Sequence, residues 1–332
     1  MIDFIRLKDL IRTHKSFLIT THVNPDADAI GSEIAFQRLL SMLEKESKII
    51  NHSITPYNLQ FLDSEKVIEK YDSALHNTYC ESSEVLIALD FNRADRMVSM
   101  QKAFTDSKQL KICIDHHQDS EHFVDFQFID SNYSATGHIL YDFIKSTGII
   151  EISKEIAAPL YAAIMTDTGS FRFERTTANL HRIIADLLDT GINPTEIYNQ
   201  LYDESNLSKI KLLGRCLNSL MLIAENKIGY MTITQTDFSD LKTLESDTEN
   251  FVNFILSIEG VKLGMLFIEL KSGFKVSFRS KGKLPVNKLA GIFGGGGHTN
   301  ASGARFKDGN IQEMIPKILN EAEKFFNNYT EG

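Results

Sequence analysis

Four apolar runs in this chain each end in a cluster that contains aspartate or histidine, and this repetition constrains the fold more than any other feature. The runs cover residues 17–21, 85–89, 110–114 and 161–166, and the clusters begin at His22, Asp90, Asp115 and Asp167. An open α/β sheet binds its ligands beyond the carboxyl ends of its strands. The pattern therefore predicts that several polar side chains meet at one edge of such a sheet.

The first part of the chain alternates predicted strands with predicted helices. Apolar residues recur at helical spacing over residues 29–43, and further helices are expected over residues 134–144, 154–165 and 178–188. Alternation of this kind is typical of a mostly parallel, doubly wound sheet that helices cover on both faces. We therefore predict an α/β domain over residues 1–194.

The pattern changes after Pro194. Residues 195–222 predict a helical connector, and residues 223–332 predict a smaller α+β domain. Its strands are expected at residues 229–234, 262–270, 274–279 and 304–306, and its helices at residues 289–293 and 311–326. Segment 271–273 forms the turn of a predicted hairpin.

The composition is typical of a soluble globular protein. The 332 residues are 42% hydrophobic and 24% charged, and no apolar run approaches the ~20 residues of a membrane helix. The N-terminus lacks the features of a signal peptide. Because Cys80, Cys113 and Cys216 lie far apart in the sequence, we expect neither disulfides nor a thiolate metal site. We predict a cytoplasmic protein without a membrane partner.

Charge is distributed unevenly along the chain. The net charge of −9 argues against a stable complex with long nucleic acids. Residues 261–310, however, contain nine Lys or Arg and two acidic residues, a net charge of +7, and the rest of the chain therefore carries −16. This asymmetry predicts that the second domain grips an anionic ligand which the first domain processes.

The clusters supply two imidazoles and four carboxylates, from His22, Asp26, Asp28, Asp90, His116 and Asp167. Mixed nitrogen and oxygen ligation without sulfur suits Mn²⁺, Fe²⁺, Co²⁺ or Zn²⁺ better than Ca²⁺. Six ligands exceed the three protein groups of a typical catalytic zinc site, and one carboxylate can bridge two ions. Two ions ~3.5–4 Å apart can activate water and stabilise a leaving oxygen in phosphoryl transfer. The sequence therefore predicts a dinuclear centre.

Single residues of these clusters carry little weight alone. An aspartate at a strand end, such as Asp90, is more often a helix cap than a ligand, so the prediction depends on the four clusters together. Ser134 and Thr136, at the start of a predicted helix, are interpreted as capping residues. Arg93 and Arg96 follow Asp90 closely and could contact either phosphate or a neighbouring carboxylate.

The clusters, in order, resemble the four signature motifs of the DHH phosphoesterase superfamily: His22-Val-Asn-Pro-Asp26-Ala-Asp28, Asp90, Asp115-His116-His117 and Asp167. The segment Gly294-Gly-Gly-Gly-His298-Thr-Asn-Ala301-Ser302-Gly303 is similar to the signature of the associated DHHA1 domain. The resemblance spans nearly the whole chain. It is strongest to the compact bifunctional oligoribonuclease/pAp phosphatase (nanoRNase) branch.

The resemblance implies roles for individual residues and two divalent ions, usually Mn²⁺ in this family. Metal one would bind His22, Asp26 and Asp90. Metal two would bind Asp28, Asp90, His116 and Asp167, so that Asp90 bridges the ions. His117 would donate a hydrogen bond to the scissile phosphate or protonate the leaving oxygen. Asp115 would orient a ligand histidine, as carboxylates near metal sites commonly do.

The predicted substrate-binding residues lie mostly in the second domain. Consecutive glycines expose backbone N–H groups that suit a phosphate or a ribose. The guanidinium of Arg279 can hold a phosphate at two points. The full predicted set is Arg279, Ser280, Gly295, Gly296, Gly297, His298 and Arg96.

Together these observations predict a two-metal phosphoesterase that acts on short oligonucleotides and small phosphorylated nucleotides. A substrate that contacts both domains must be short and carry two phosphates, or a phosphate and a nucleotide. Short oligoribonucleotides, cleaved to mononucleotides, and 3′-phosphoadenosine 5′-phosphate (pAp), cleaved to AMP and phosphate, meet this requirement. The sequence leaves open whether the chain forms a homodimer.

Several alternatives stay open. The first is a RecJ-like single-strand exonuclease, against which the acidic total and the absence of tryptophan argue. The others are an exopolyphosphatase or inorganic pyrophosphatase, a phosphodiesterase for linear dinucleotides, and a non-enzymatic regulator that binds nucleotides. The regulator is disfavoured because no predicted metal ligand is missing.

Overall fold

The computed structural model describes residues 2–118 and 120–330, which divide into two compact units, Met1–Glu204 and Ser205–Gly332. The strands of the first unit are β1 (Ser16–Thr20), β2 (Glu46–Asn51), β3 (Ile68–Lys70), β4 (Val85–Leu89), β5 (Leu110–Asp115) and β6 (Phe126–Ile129). Its helices are α1 (Phe4–Thr13), α2 (Ala27–Met42), α3 (Ser73–Ser82), α4 (Gln101–Asp106), α5 (Thr136–Thr147), α6 (Lys154–Asp167), α7 (Ala178–Asp189) and α8 (Pro194–Tyr198).

The six strands of the first unit form one parallel sheet in the order β3-β2-β1-β4-β5-β6. Strand order reverses direction between β1 and β4, and ligands of open α/β sheets bind at such a switch point. The predicted mostly parallel, doubly wound sheet is confirmed. Strands β2, β3 and β6 lie outside the predicted set because their polar or short sequences carry weak periodicity.

Both faces of this sheet are covered, as a parallel sheet requires. Successive residues of a strand point to opposite faces. Phe17 and Ile19 of β1 therefore join the larger apolar cluster with helices α2, α5 and α6, whereas Leu18 joins a smaller cluster on the other face. All five residues of β4 are buried.

Helices α2 and α6 cross at very short range. A Cβ atom added at Gly31 of α2 would lie 2.5 Å from the carbonyl oxygen of Pro159 in α6, so only glycine fits there. This close approach brings the first turn of α2 towards the last turn of α6. The metal ligands predicted on these two helices, Asp28 and Asp167, depend on that packing.

The second unit contains another sheet of six strands. They are β7 (Met221–Ile223), β8 (Ile228–Ile233), β9 (Leu263–Glu269), β10 (Phe274–Ser280), β11 (Gly296–His298) and β12 (Ala301–Phe306), in the order β11-β12-β10-β9-β8-β7. Its helices are α9 (Leu207–Asn218), α10 (Gln235–Leu241), α11 (Asn253–Leu256), α12 (Val286–Ile292) and α13 (Ile311–Thr330). All neighbours in this sheet are antiparallel except β8 and β9. The predicted hairpin between β9 and β10 is present, and Gly273 turns it with a φ of 71°.

Elements β7, β11, α10 and α11 were not predicted, and β7 begins at Met221, inside the predicted connector. Asp167 ends helix α6, in agreement with the helix predicted over residues 154–165, so the apolar run before it is helical and not a strand like the other three runs. The predicted continuous helical connector is interrupted at residues 204–206, where the side chain of Asn206 accepts a hydrogen bond from the amide of Lys209 and starts α9. The domain limits 194 and 222 stay predictions.

Among the described residues, none of the helices combines the length and the hydrophobicity that crossing a bilayer requires.

Candidate metal centre and substrate row

Three central strands deliver the predicted ligands to one edge of the first sheet. His22 follows β1, Asp90 follows β4, and Asp115 ends β5. Because β1, β4 and β5 are parallel neighbours, their carboxyl ends meet at the switch point of the sheet.

His22, Asp26 and Asp90 form one group, whose ligand atoms lie within 4.8 Å of one another. Nδ1 of His22 lies 3.0 Å from the carbonyl oxygen of Val23, which directs Nε2 towards Oδ2 of Asp90 at 3.4 Å. Burial and the charge of Arg96 lower the pKa of His22 to about 4. The imidazole is therefore neutral at physiological pH, the form that binds metal.

Asp28, His116 and Asp167 form a second group of the same kind. Nε2 of His116 lies 3.1 Å from Oδ2 of Asp167 and 3.5 Å from Oδ2 of Asp28. His116 and Asp28 are buried, whereas about a fifth (21%) of the Asp167 side chain is exposed. The second group therefore has its open side at Asp167.

Asp90 contacts both groups through different oxygens. Its Oδ2 faces His22, and its Oδ1 lies 3.5 Å from Nε2 of His116. The backbone of Asp90 has a φ of 65°, a left-handed conformation that aspartate tolerates better than most residues. This turn directly after β4 aims the carboxylate between the two groups, as a bridging ligand requires.

The electrostatics of the centre suit divalent cations. Burial and the charge of Asp167 raise the pKa of Asp28 to about 7, and burial and the charge of Asp26 raise the pKa of Asp167 to about 8. The pKa of Asp90 is also raised well above its usual range, by burial and by Asp28. Carboxylates packed this closely repel one another unless cations neutralise them. Together with the two imidazoles, they make a donor set that fits divalent metal.

Asp115 is hydrogen-bonded to His117. Its Oδ1 lies 2.7 Å from Nδ1 of His117, and its Oδ2 accepts the backbone amide of the same residue at 3.1 Å. The side chain of Asp115 thus forms a local turn with the backbone and ring of His117, two residues further on. That Asp115 also orients a ligand histidine stays a prediction. Burial alone would raise the pKa of Asp115, but the charge and hydrogen bonds of His117 lower it. About a quarter (24%) of the His117 side chain is exposed, against 1% for His116.

Three further residues near the centre were not predicted as site residues: Thr136, Gly137 and Arg175. The amides of Thr136 and Gly137 donate to the carboxylate of Asp28, and the hydroxyl of Thr136 donates to Asp90. The guanidinium of Arg175 donates to the carbonyl of Tyr133, and its charge partly offsets the rise in the pKa of Asp167. Thr136 resembles an ordinary helix cap in the sequence, and no sequence signal distinguishes Arg175.

Arg96 lies on the His22 side of the centre. Its backbone carbonyl accepts the amide of Val23 at 2.8 Å, and its side chain is exposed. Arg93, the other candidate of this segment, forms an exposed ion pair with Asp95. Of the two arginines, Arg96 is therefore the better placed for a phosphate.

In the second unit, strand pairing brings two of the predicted substrate residues, Arg279 and His298, into one row. Ala301 of β12 pairs with Arg279 of β10 on one side and with His298 of β11 on the other. Paired residues of neighbouring strands share a face of the sheet. We call Arg279, Ala301 and His298 the basic row. The adjacent row of the same face consists of Ser277, Gly303 and Gly296. Small residues thus form a floor beside two basic side chains.

The glycines at positions 295–297 are not all required for the same physical reason. A Cβ atom at Gly295 would lie 2.2 Å from the carbonyl oxygen of Gly303, and one at Gly297 would lie 2.6 Å from that of Ala301. Gly297 also has a φ of 136°. Gly296, in contrast, is exposed and has room for a Cβ atom. Packing therefore accounts for Gly295 and Gly297 but not for Gly296.

Ser280 lies on the opposite face of β10 from Arg279. It is buried, its hydroxyl donates to the carbonyl of Leu284 at 2.6 Å, and it accepts from the side chain of Asn300 at 2.9 Å. The alternation of side chains along a strand separates these two neighbours. The proposed substrate site therefore retains Arg279 without Ser280.

Comparison with known proteins agrees with this geometry. The family model of the DHH family, N-terminal domain, matches residues 16–164, and the model of the DHHA1 domain matches residues 230–328. The bifunctional oligoribonuclease and PAP phosphatase NrnA of Thermus thermophilus is 32% identical over 301 residues, which cover 91% of this chain and 87% of that protein. This chain belongs to the DHH family.

Two further proteins are similar to this chain over most of its length. The NrnA protein of Bacillus subtilis is 29% identical over 89% of this chain and 92% of its own length. The crystal structure of an exopolyphosphatase-related protein from Bacteroides fragilis superposes with a TM-score of 0.91 at 30% identity and covers 99% of this chain and 97% of that one. As a DHH family member, the chain is a phosphoesterase, a hydrolase that acts on phosphate ester bonds.

Proposed function

We propose that this chain is an Mn²⁺-dependent two-metal phosphoesterase that cleaves short oligoribonucleotides to mononucleotides and pAp to AMP and phosphate. The observation that carries the proposal is the placement of Asp90, whose two oxygens face two separate histidine–carboxylate groups. A single ion would need only one of these groups. The bifunctional relatives named above support the choice of substrates.

The two groups support one set of proposed ligands. His22, Asp26 and Asp90 would hold one ion, and Asp28, His116, Asp167 and Asp90 would hold the other. Bound there, the ions would lower the pKa of the attacking water and polarise the phosphate. The buried carboxylates bring negative charge that the ions neutralise, so the centre is prepared before substrate binds.

His117 is the proposed general acid. Its Nδ1 contacts Asp115, so Nε2 is the nitrogen that would protonate the leaving oxygen as the bond between phosphorus and that oxygen breaks. The negative charge of Asp115 stabilises the positive ring from which the proton leaves. The partial exposure of His117 lets substrate reach it, which the buried His116 does not allow.

The second unit is the proposed source of substrate affinity. The basic row would bind a phosphate through Arg279 and His298, and the exposed glycine at position 296 would let a ribose or phosphate approach the backbone. Arg96 of the first unit is proposed to contact phosphate near the centre. These roles require no tight grip on long nucleic acid, in agreement with the net charge of −9.

One assay tests the proposal. Purified metal-free protein is given Mn²⁺ and then a five-residue RNA, pAp, a long single-stranded DNA, pyrophosphate or a short polyphosphate. We expect turnover of the RNA and pAp and little turnover of the other three substrates. A preference for polyphosphate or pyrophosphate would contradict the proposal and favour the exopolyphosphatase or pyrophosphatase alternative. A preference for long DNA, or binding without any hydrolysis, would contradict the proposal.

A further inference from the structure

Thr136 contacts two of the proposed metal ligands from different parts of the chain. This residue begins α5 and is fully buried. Its backbone amide donates to Oδ2 of Asp28 at 2.7 Å, and its hydroxyl donates to Oδ1 of Asp90 at 2.9 Å. One residue therefore holds the bridging carboxylate and a carboxylate of the second group in a fixed relation.

The start of α5 is built around these contacts. Its N-cap residue, Ala135, has no side chain that could accept a hydrogen bond. Asp28 takes that role from α2, with Oδ1 accepting the amide of Gly137 at 2.9 Å and the hydroxyl of Ser32 at 3.1 Å. Asp28 is thereby held by backbone groups, whereas the hydrogen bond from Thr136 to Asp90 depends on one hydroxyl.

Rotation of the Asp90 carboxylate would exchange the directions of its two oxygens. Oδ2 faces His22 and Oδ1 faces His116, and the hydroxyl of Thr136 binds only Oδ1. We propose that Thr136 is a positioning residue that keeps these oxygens divided between the two metal sites. This inference rests on the proposed dinuclear centre.

Substitutions at Thr136 can separate the role of its hydroxyl from the roles of its shape and its backbone amide. Thr136→Val keeps the shape and the backbone amide that holds Asp28, but removes the donor to Asp90. Loss of a group that orients a metal ligand commonly weakens metal binding about 10–100-fold. Thr136→Ser restores the hydroxyl. Thr147→Val is a matched control, because this threonine of the same helix donates only to the carbonyl of Phe143.

The experiment measures metal and not turnover. Metal-free protein is titrated with Mn²⁺ by calorimetry, and the exchange coupling of the bound ions is followed by electron paramagnetic resonance. We expect two coupled Mn²⁺ ions in the wild type, about 10–100-fold weaker binding of at least one ion and altered coupling in Thr136→Val, and near-normal values in Thr136→Ser and Thr147→Val. Thermal unfolding is measured alongside, and Thr136→Ala replaces the valine variant if that variant does not fold.

The outcomes distinguish the inference from the proposed function. A wild type that binds no Mn²⁺, or a single uncoupled ion, would overturn the proposed dinuclear centre. A wild type with two coupled ions and a Thr136→Val variant with the same affinities and coupling would overturn only the role of Thr136. Equal loss in the valine and serine variants would also overturn it, because the hydroxyl would then not be the relevant group.

Discussion

The candidate metal centre and the basic row differ in how far their charged side chains are buried. The centre packs carboxylates and imidazoles where water is largely excluded, with Asp28 and Asp90 almost entirely buried. The basic row keeps Arg279 and His298 partly accessible beside exposed glycine. Buried groups are held in one geometry by hydrogen bonds, as bond-breaking chemistry requires. Accessible groups suit a surface that must bind and release ligand.

The two regions also differ in how their charges are compensated. In the centre, like charges face one another and raise the pKa values of Asp28 and Asp167. On the second sheet, Lys275 and Arg305 both contact Glu245. Part of the positive charge counted in the sequence is therefore already paired. Carboxylates that repel one another therefore distinguish the candidate metal centre, and small residues beside Arg279 and His298 distinguish the proposed binding surface.

The largest expected effect comes from removing the bridge. Asp90→Asn should lower turnover of every substrate about 1,000-fold or more, because the stabilisation that metal supplies is worth several kcal/mol. The metal-free variant should be at least as stable as the wild type, since a buried, repelled carboxylate is gone. Steady-state kinetics and thermal unfolding without metal test both parts. Normal turnover by Asp90→Asn would contradict the view that the metal centre performs the chemistry while the basic row binds substrate.

Metal removal should give the centre a pH-dependent stability. A carboxyl whose pKa is raised in the folded protein holds its proton more tightly there than in the unfolded chain. This contribution to stability is lost as pH rises through about 7 for Asp28 and about 8 for Asp167. His22 acts in the opposite sense below its unfolded value of 6.5, because its pKa is lowered. Between pH 6.5 and 8, Asp28 and Asp167 alone should therefore lower the free energy of unfolding by on the order of 1–3 kcal/mol without metal.

Denaturant titrations with and without Mn²⁺ test this dependence, which saturating Mn²⁺ should largely remove. Glu33 provides the control. Burial raises its pKa to about 8, and its side chain bonds to Asn51 and not to the centre. Glu33→Gln should remove the part of the pH dependence that Mn²⁺ leaves. An identical slope with and without Mn²⁺ would show that the carboxylates bind no metal.

A change in the basic row should act mainly on binding. Arg279→Ala should raise KM for the RNA and pAp about 10-fold or more, because charge-assisted hydrogen bonds to phosphate are lost, and should change kcat little. Arg215→Ala is the matched control, since this exposed arginine of the second unit pairs with Asp237 and Asp240. An unchanged KM for Arg279→Ala would remove the basic row from the substrate site.

The smallest expected effects separate packing from binding within the glycine run. Gly295→Ala should destabilise the protein by about 1–3 kcal/mol, because its Cβ atom would meet backbone. Gly296→Ala should leave stability within about 0.5 kcal/mol of the wild type. If the exposed glycine lies against substrate, the same variant should raise KM several-fold. Unfolding curves and KM values of the two variants test these expectations. A normal KM for Gly296→Ala would mean that the glycines of this segment have only a structural role.

The sequence alone predicted the α/β class and the strand ends that carry the site. Apolar runs predicted buried strands, and clusters after them located the edge of the sheet where His22, Asp90 and Asp115 meet. These features were accessible because buried strands appear as short apolar runs, and because the alternation of strands with helices predicts a parallel sheet. The helix that carries Asp167 was predicted too, over residues 154–165, although the apolar run 161–166 by itself fits a buried helix as well as a strand.

Tertiary structure decided how these residues work together. The packing of α2 against α5 and α6 determines which oxygen of Asp90 faces which histidine. The same packing brings Thr136 to Asp28, from which it is 108 positions away in the sequence. Strand register likewise placed Arg279, Ala301 and His298 in one row across three strands. The alternation of side chains along β10 placed Ser280 on the opposite face. The sequence determined which groups are available, since composition and order fix their chemistry. Only packing between distant segments set their distances and directions, on which hydrogen bonding and charge compensation depend.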